Sequence, residues 1–114
     1  MEKELVVYVR RTYCPYVALA RDLLKRYQIP HREIFIDADP AMAQRVRDWT
    51  GFYSVPTLIV AAPGQDVPYE APDPLRPGQS PMNIDRGSMI TEPNNQGLEN
   101  WLHKHGFLPK AYKR

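Results

Sequence analysis

The chain has 114 residues, of which 43% are hydrophobic and 25% are charged, and its formal net charge is +2. This composition fits an ordinary globular protein with one domain over residues 1–114. The small charge argues against binding to nucleic acid, and the absence of an apolar run near 20 residues argues against a membrane span. The charged N-terminus and the single cysteine lead us to expect a cytoplasmic protein, which we also expect to be a monomer.

Cys14, the only cysteine, comes between a predicted strand and a predicted helix. Residues 5–9 form an uninterrupted apolar run typical of a buried strand. Residues 15–27 are predicted to be helical, since apolar side chains recur there at helical spacing: Val17, Ala20, Leu24 and Tyr27. A cysteine at a helix N-terminus lies beside unpaired N–H groups and the positive end of the helix dipole, which favour the reactive thiolate. We therefore interpret Cys14 as a nucleophile, although a lone cysteine is otherwise often a small buried side chain.

Two further strands and one further helix follow in alternation. Residues 33–37 are predicted to form the second strand, and residues 56–61 the third. Between them, Asp39-Pro40 supplies an N-cap and a first-turn proline for a second helix, and Gly51 is placed to end it. This βαβαβ order predicts an α/β sheet covered by helices, with its first two strands parallel.

The alternation breaks at a proline-rich insertion over residues 62–81. The insertion holds six of the twelve prolines, which are Pro63, Pro68, Pro72, Pro74, Pro77 and Pro81. A loop of this length is uncommon in a compact domain, so we expect either a solvated insertion or a partner-docking loop. Residues 82–84 and 88–90 are predicted short edge-strand segments around a turn, and a last helix is predicted over about 95–105.

The order of these parts resembles the glutaredoxin family of the thioredoxin-like fold from about Leu5 to Leu108, with residues 62–81 outside the resemblance. The run Cys14-Pro15-Tyr16-Val17 is similar to the family's Cys-Pro-Tyr-Cys with the second cysteine replaced, and Ser54-Val55-Pro56 is similar to its Thr-Val-Pro. The resemblance implies a four-stranded mixed sheet covered by about three helices, with the proline-rich insertion before the last strand.

The resemblance also implies a substrate site around Cys14. In the family, the residue matching Arg11 pairs with a glutathione carboxylate, the residue matching Tyr16 lines the groove, and a cis bond before the residue matching Pro56 lets Val55 present its backbone N–H and C=O. Ser88, in Gly87-Ser88, corresponds in part to a Gly-Gly-Cys/Ser-Asp motif that holds the γ-glutamyl end of glutathione. From the residues alone, a trans proline that starts an edge strand remains an alternative for Pro56.

Val17 occupies the position of a resolving cysteine, so a mixed disulfide on Cys14 must be resolved by an outside thiol. The candidates are glutathione, a reductase or a second copy of the chain. The expected activity is a single-cysteine thiol–disulfide oxidoreductase that reduces mixed disulfides of glutathione or of a related small thiol, with glutathione as co-substrate. Its expected partners are glutathionylated or disulfide-containing proteins, and we expect neither a metal site nor a tightly bound cofactor. The alternatives are two chains that bridge an iron–sulfur cluster through Cys14 and two glutathiones, or a non-catalytic module that docks partners.

Overall fold

The computed structural model describes residues 2–108, which form a four-stranded sheet and three helices. The elements in chain order are β1 Glu4–Val9, α1 Pro15–Arg26, β2 Arg32–Phe35, α2 Pro40–Thr50, β3 Thr57–Ala61, β4 Met89–Thr91 and α3 Asn95–Lys104. The sheet order is β2-β1-β3-β4, with β1 parallel to β2 and antiparallel to β3, and with β4 antiparallel to β3. This arrangement confirms the mixed α/β fold that the resemblance implies.

The hydrophobic core covers both faces of the sheet. Residues 5–9 of β1 are consecutive, and each is at most 1% exposed. Because successive side chains in a strand point to opposite faces, both faces must be covered. The helices α1 and α3 supply the buried residues Val17, Ala20, Leu23, Leu24, Leu98, Trp101 and Leu102. The predicted stripe on α1 is therefore present, except that Tyr27 is only partly buried.

Helix α2 begins and ends where the sequence predicts. The side chain of Asp39 accepts a hydrogen bond from the Ala41 N–H at 2.9 Å, and Pro40 is the first helical residue. Gly51 ends the helix in the left-handed conformation with φ +84°, which glycine adopts at little cost. The end of α2 therefore fixes where the segment that leads to Val55 and Pro56 begins.

The last part of the sheet differs from the prediction. Only Met89–Thr91 forms a strand, while Met82 and Asp85 each make an isolated bridge to it. Positive φ angles of +60° at Asn83 and +82° at Gly87 interrupt the extended backbone on both sides of Asp85. The predicted segment over residues 82–84 is therefore not a strand, although it runs along the edge of β4.

The proline-rich insertion contains neither helix nor strand, as predicted, but it is bound to the rest of the fold at several points. The Tyr69 N–H donates to the Val60 carbonyl at 2.9 Å. Arg32 forms an ion pair with Asp66 at 2.9 Å, so the first half of the insertion is tied to β2. These contacts give the loop a defined path along the sheet.

Arg86 is a buried cation that joins the insertion to the end of α2. Its side chain is among the buried groups, at 6% exposure. Its Nε donates to the Asp73 carbonyl and its Nη1 to the Trp49 carbonyl, both at 2.7 Å. The Trp49 carbonyl belongs to the last turn of α2, where carbonyls lack partners within the helix. Burial lowers the pKa of Arg86, and the charge of Asp73 partly opposes that effect.

Replacing Arg86 with methionine should destabilise the protein by about 2–3 kcal/mol. The change keeps most of the side-chain volume but leaves two carbonyls without their donor in partly buried contacts, each at a cost of about 1–3 kcal/mol, and it recovers part of the cost of burying the cation. Urea unfolding would measure the difference. Arg76→Met, at an exposed position in the same loop, is the matched control, and an equal effect of the two changes would contradict this role for Arg86.

Candidate active site

Cys14 is the N-cap residue of α1. Its backbone is extended, with φ −145° and ψ 124°, and its carbonyl accepts the first helical hydrogen bond from the Ala18 N–H at 3.0 Å. Pro15 follows at the first helical position, where its missing N–H costs nothing. The side chain of Cys14 accepts no capping hydrogen bond and is 8% exposed. The residue is thus placed at the positive end of a helix, as the sequence predicts, and it is largely buried.

The peptide bond between Val55 and Pro56 is cis, as the resemblance implies. The thiol of Cys14 donates to the Val55 carbonyl, with 3.8 Å between sulfur and oxygen. The Val55 N–H has no acceptor within residues 2–108. On the other side of the proline, the Thr57 hydroxyl donates to the Ser54 carbonyl at 2.9 Å and lies 3.1 Å from the Thr91 hydroxyl. These contacts hold a backbone segment with a free donor next to the sulfur.

Arg11 lies in the loop before Cys14 and is held by Asp37. Its Nε lies 3.5 Å from Asp37 Oδ1, and its backbone N–H donates to Oδ2 at 2.8 Å. The partial burial of Asp37 would raise the pKa of its carboxyl, but the N–H groups and positive charge of Arg11 outweigh it and hold that pKa below its ordinary value. Strand β2 ends at Phe35 and not at the predicted residue 37, so Asp37 lies in the turn after the strand. Because 64% of the Arg11 side chain stays exposed, the guanidinium can still meet an anionic ligand.

Exposed aromatic side chains flank both segments of the site. Tyr16, in the first turn of α1, is 36% exposed, and Tyr13 directly before Cys14 is more exposed still. Phe52 and Tyr53 are also exposed and lead into the cis-proline segment. Of these four residues, the sequence singled out only Tyr16. Tyr13, Phe52 and Tyr53 could have been noticed in the sequence, because each lies within three residues of the Cys14 motif or of the Ser54-Val55-Pro56 motif.

The structure does not bring Ser88 to this site. Ser88 lies before β4, and its hydroxyl donates to the Glu70 carbonyl of the insertion at 2.6 Å. The strand register pairs Thr57 with Thr91, so the C-terminal end of β4 is the end beside Pro56. The segment that leads from β4 to α3 near the cysteine is therefore residues 92–94. We do not include Ser88 among the residues that hold a ligand of Cys14.

Glu92 and Arg10 are two charged residues, bound to Pro56 and to Tyr13, that the sequence did not mark as ligand-binding. The Glu92 N–H donates to the Pro56 carbonyl at 2.8 Å, and its backbone is left-handed with φ +45°. Arg10 Nη2 donates to the Tyr13 carbonyl at 3.1 Å. Burial raises the pKa of Glu92, and the charge of Arg10 partly opposes that effect. These two side chains are 82 positions apart in sequence, so no local pattern could have paired them.

The site contains one thiol, that of Cys14, because the chain has no second cysteine. Thiol–disulfide exchange needs a thiol, and Cys14 is the residue of this chain that carries one. Within residues 2–108, no three His, Cys, Asp or Glu side chains are grouped as a metal site would need. In the same range, no helix is both long and apolar enough to cross a membrane.

Comparison with known proteins identifies the family. The family model described as Glutaredoxin matches residues 5–62, more than half of the chain. The match runs from β1 to the end of β3 and therefore includes Cys14 and the Val55–Pro56 segment. No curated protein matches the chain. With a mixed sheet of four strands, three helices and a cysteine at the start of α1, the chain belongs to the glutaredoxin family and has its thioredoxin-like fold and redox function.

Proposed function

We propose that the protein is a thiol–disulfide oxidoreductase that uses Cys14 alone to reduce mixed disulfides of glutathione. The observation that carries this proposal is the position of the Cys14 sulfur at the start of α1, 3.8 Å from the Val55 carbonyl. A substrate disulfide that approaches this sulfur can also pair its backbone with the free Val55 N–H. The family match supports the redox chemistry, and the single cysteine limits it to a route without an internal disulfide.

The proposed cycle has two exchange steps. In the first, the Cys14 thiolate attacks the glutathione sulfur of the mixed disulfide, so a Cys14–glutathione bond forms and the substrate thiolate leaves and takes up a proton. In the second, the thiolate of another glutathione attacks the glutathione sulfur bound to Cys14. Glutathione disulfide leaves, and Cys14 returns as a thiolate. One glutathione is consumed per substrate thiol released, and the glutathione disulfide joins its sulfur to the glutathionyl sulfur that the substrate carried.

Three residues around the sulfur are proposed to hold the glutathione moiety, with Pro56 positioning the third. Arg11 supplies a positive charge for a carboxylate, and its planar guanidinium suits a paired interaction. Tyr16 provides an exposed aromatic wall, and Val55 provides backbone groups directly before Pro56. The contact with Asp37 restricts the conformation of the Arg11 side chain before a ligand binds. Binding therefore costs less side-chain entropy than it would for an unrestrained arginine.

A coupled turnover assay tests this function. The mixed disulfide of glutathione and cysteine is the substrate, and glutathione reductase with NADPH reports the glutathione disulfide formed. The proposal expects a rate that exceeds the uncatalysed exchange and that increases with added glutathione, because glutathione resolves the intermediate. A rate equal to that of the exchange without protein would contradict the proposal.

A further inference from the structure

A cavity lies between the end of α2 and the second half of the proline-rich insertion. Its volume is about 450 Å³, which is within the range of small-molecule sites. The walls are formed by residues 48–52, by residues 74–76 and 78–79 of the insertion, and by Arg86. The insertion residues and Arg86 are outside residues 5–62, which the family model matches, so membership of the family does not account for this cavity.

Arg86 is a buried cation in the wall of the cavity. Its Nε donates to the Asp73 carbonyl, and its Nη1 donates to the Trp49 carbonyl and contacts Met89 Sδ at 3.5 Å. Within residues 2–108, its Nη2 has no hydrogen-bond partner and its side chain forms no ion pair. A buried cation whose partners are all neutral is costly. The guanidinium of Arg86 can therefore still gain from an anion.

The free nitrogen of Arg86 is accessible from the cavity. In the part of the chain that the structure describes, Arg10 Nε is the single fully buried side-chain nitrogen or oxygen atom without a partner, so Nη2 of Arg86 retains contact with solvent. Because Arg86 is otherwise buried and lines the cavity, this contact is on the cavity side. An anion in the cavity can accept hydrogen bonds from Nη2 without displacing either carbonyl.

A second guanidinium, that of Arg76, lines the same cavity. It is exposed and has no partner within residues 2–108. The turn that carries it is held by Gln79, whose Oε1 accepts from the Arg76 N–H at 2.8 Å and whose N–H donates to the Arg76 carbonyl at 2.9 Å. Asp48 is the carboxylate among these lining residues, and it accepts from the Gln44 amide at 2.8 Å. The lining thus has two cations and one anion, which favours an anionic ligand.

The free donors favour a phosphate over a carboxylate. A planar carboxylate binds a guanidinium best through two parallel N–H groups, but Nε and Nη1 of Arg86 already have acceptors. The three terminal oxygens of a phosphate monoester point in different directions, so they can accept from Arg86 and from Arg76 separately. Phe52, which is 51% exposed, and Leu75 supply apolar surface in the same cavity. A phosphate joined to a ring matches both parts of the lining.

We propose that this cavity binds a small phosphate monoester that carries an aromatic ring. Nη2 of Arg86 and the guanidinium of Arg76 donate to the phosphate oxygens, and the ring contacts Phe52 and Leu75. The residues that line the cavity do not include Cys14, so the site does not depend on the proposed function.

Titration calorimetry of the wild-type protein with phenyl phosphate tests the site. At about pH 8 a phosphate monoester carries about two negative charges. Inorganic phosphate lacks the ring, and benzoate lacks the tetrahedral anion, so each should have a dissociation constant about tenfold higher than phenyl phosphate. Benzyl alcohol, which has no charge, should not bind. Equal dissociation constants for benzoate and phenyl phosphate would overturn the assignment to phosphate.

Amide chemical shifts of the wild-type protein locate the bound probe. Phenyl phosphate should shift the signals of residues 48–52, 74–79 and Arg86, and it should leave those of Arg11 and Tyr16 unchanged. Larger shifts at Arg11 and Tyr16 than at residues 74–79 would place the phosphate beside the cysteine and overturn the proposal. This measurement needs no variant, so it does not depend on a changed chain folding.

The variant Arg76→Met tests the second cation. It should raise the dissociation constant of phenyl phosphate about tenfold. Arg26→Met, at an exposed position in the last turn of α1 and away from the cavity, is the matched control and should behave as the wild type. Arg86→Met should abolish binding, but it also destabilises the protein, so the Arg76 variant and the shifts of the wild type decide the outcome.

Two results would remove the site. An unchanged dissociation constant in Arg76→Met would show that the two guanidinium groups do not share a ligand. No binding of phenyl phosphate to the wild-type protein would show that the carbonyls of Asp73 and Trp49 compensate the charge of Arg86 without an anion. Neither result would affect the chemistry proposed for Cys14, which the turnover assay tests separately.

Discussion

Replacing Cys14 with serine is expected to abolish the turnover of glutathione mixed disulfides and to leave only the uncatalysed exchange. A hydroxyl cannot form the sulfur–sulfur bond of the first step, and the chain holds no other thiol that could replace it. The coupled assay with the wild-type protein and with Cys14→Ser at equal concentration measures the loss.

The serine variant should keep the fold, which makes the comparison interpretable. Serine is among the preferred N-cap residues, and position 14 is the N-cap of α1. We therefore expect the free energy of unfolding to be equal to that of the wild type or up to about 1 kcal/mol higher. Turnover by a folded Cys14→Ser protein would show that another group performs the chemistry and would remove the proposed mechanism.

Replacing Val17 with cysteine is expected to add an internal route for releasing a trapped protein substrate. Val17 lies in the first turn of α1, three residues after Cys14, and its side chain is buried. A thiol at position 17 would attack the mixed disulfide as an intramolecular group, with an effective concentration of about 1 mM for such a short connection. At about 10 µM glutathione, release of the substrate thiol should be about a hundredfold faster than in the wild type.

Rapid acid quenching followed by mass spectrometry would measure this release from a preformed mixed disulfide between Cys14 and a small protein. The product of the variant should be an internal disulfide between positions 14 and 17. Val17→Ala is the matched control because it changes the same buried position without adding a thiol. Equal release rates for the two variants would mean that position 17 cannot reach the sulfur of Cys14.

Local sequence signals were sufficient for the first part of the fold. The caps of α2 follow from Asp39, Pro40 and Gly51, whose conformational preferences act within a few residues. The position of Cys14 at the start of α1 follows from the sequence on its two sides, where a continuous apolar run over residues 5–9 gives way to apolar residues at helical spacing over residues 15–27. The cis bond at Pro56 came from the family resemblance, since a proline at the start of a strand fits a trans bond equally well.

The sequence did not predict the contacts between residues that are far apart along the chain. The insertion left the position of the last strand uncertain, and this is why Ser88 was expected near Cys14 although it contacts Glu70. Arg86 gave no signal of being buried, because a single arginine in a polar loop is usually exposed. The pair of Arg10 and Glu92 depends on the end of β4 meeting Pro56, which only the folded sheet establishes.

Intact-mass spectrometry of the reaction intermediate is the most direct test of the central claim that Cys14 acts alone with an outside thiol. The wild-type protein is treated with glutathione disulfide, freed of excess reagent, and then mixed with reduced glutathione. We predict one glutathione bound per chain, mapped to Cys14 by peptide analysis, and its complete removal by the added glutathione with formation of glutathione disulfide. A protein that takes up no glutathione, or an adduct that glutathione does not remove, would contradict the account.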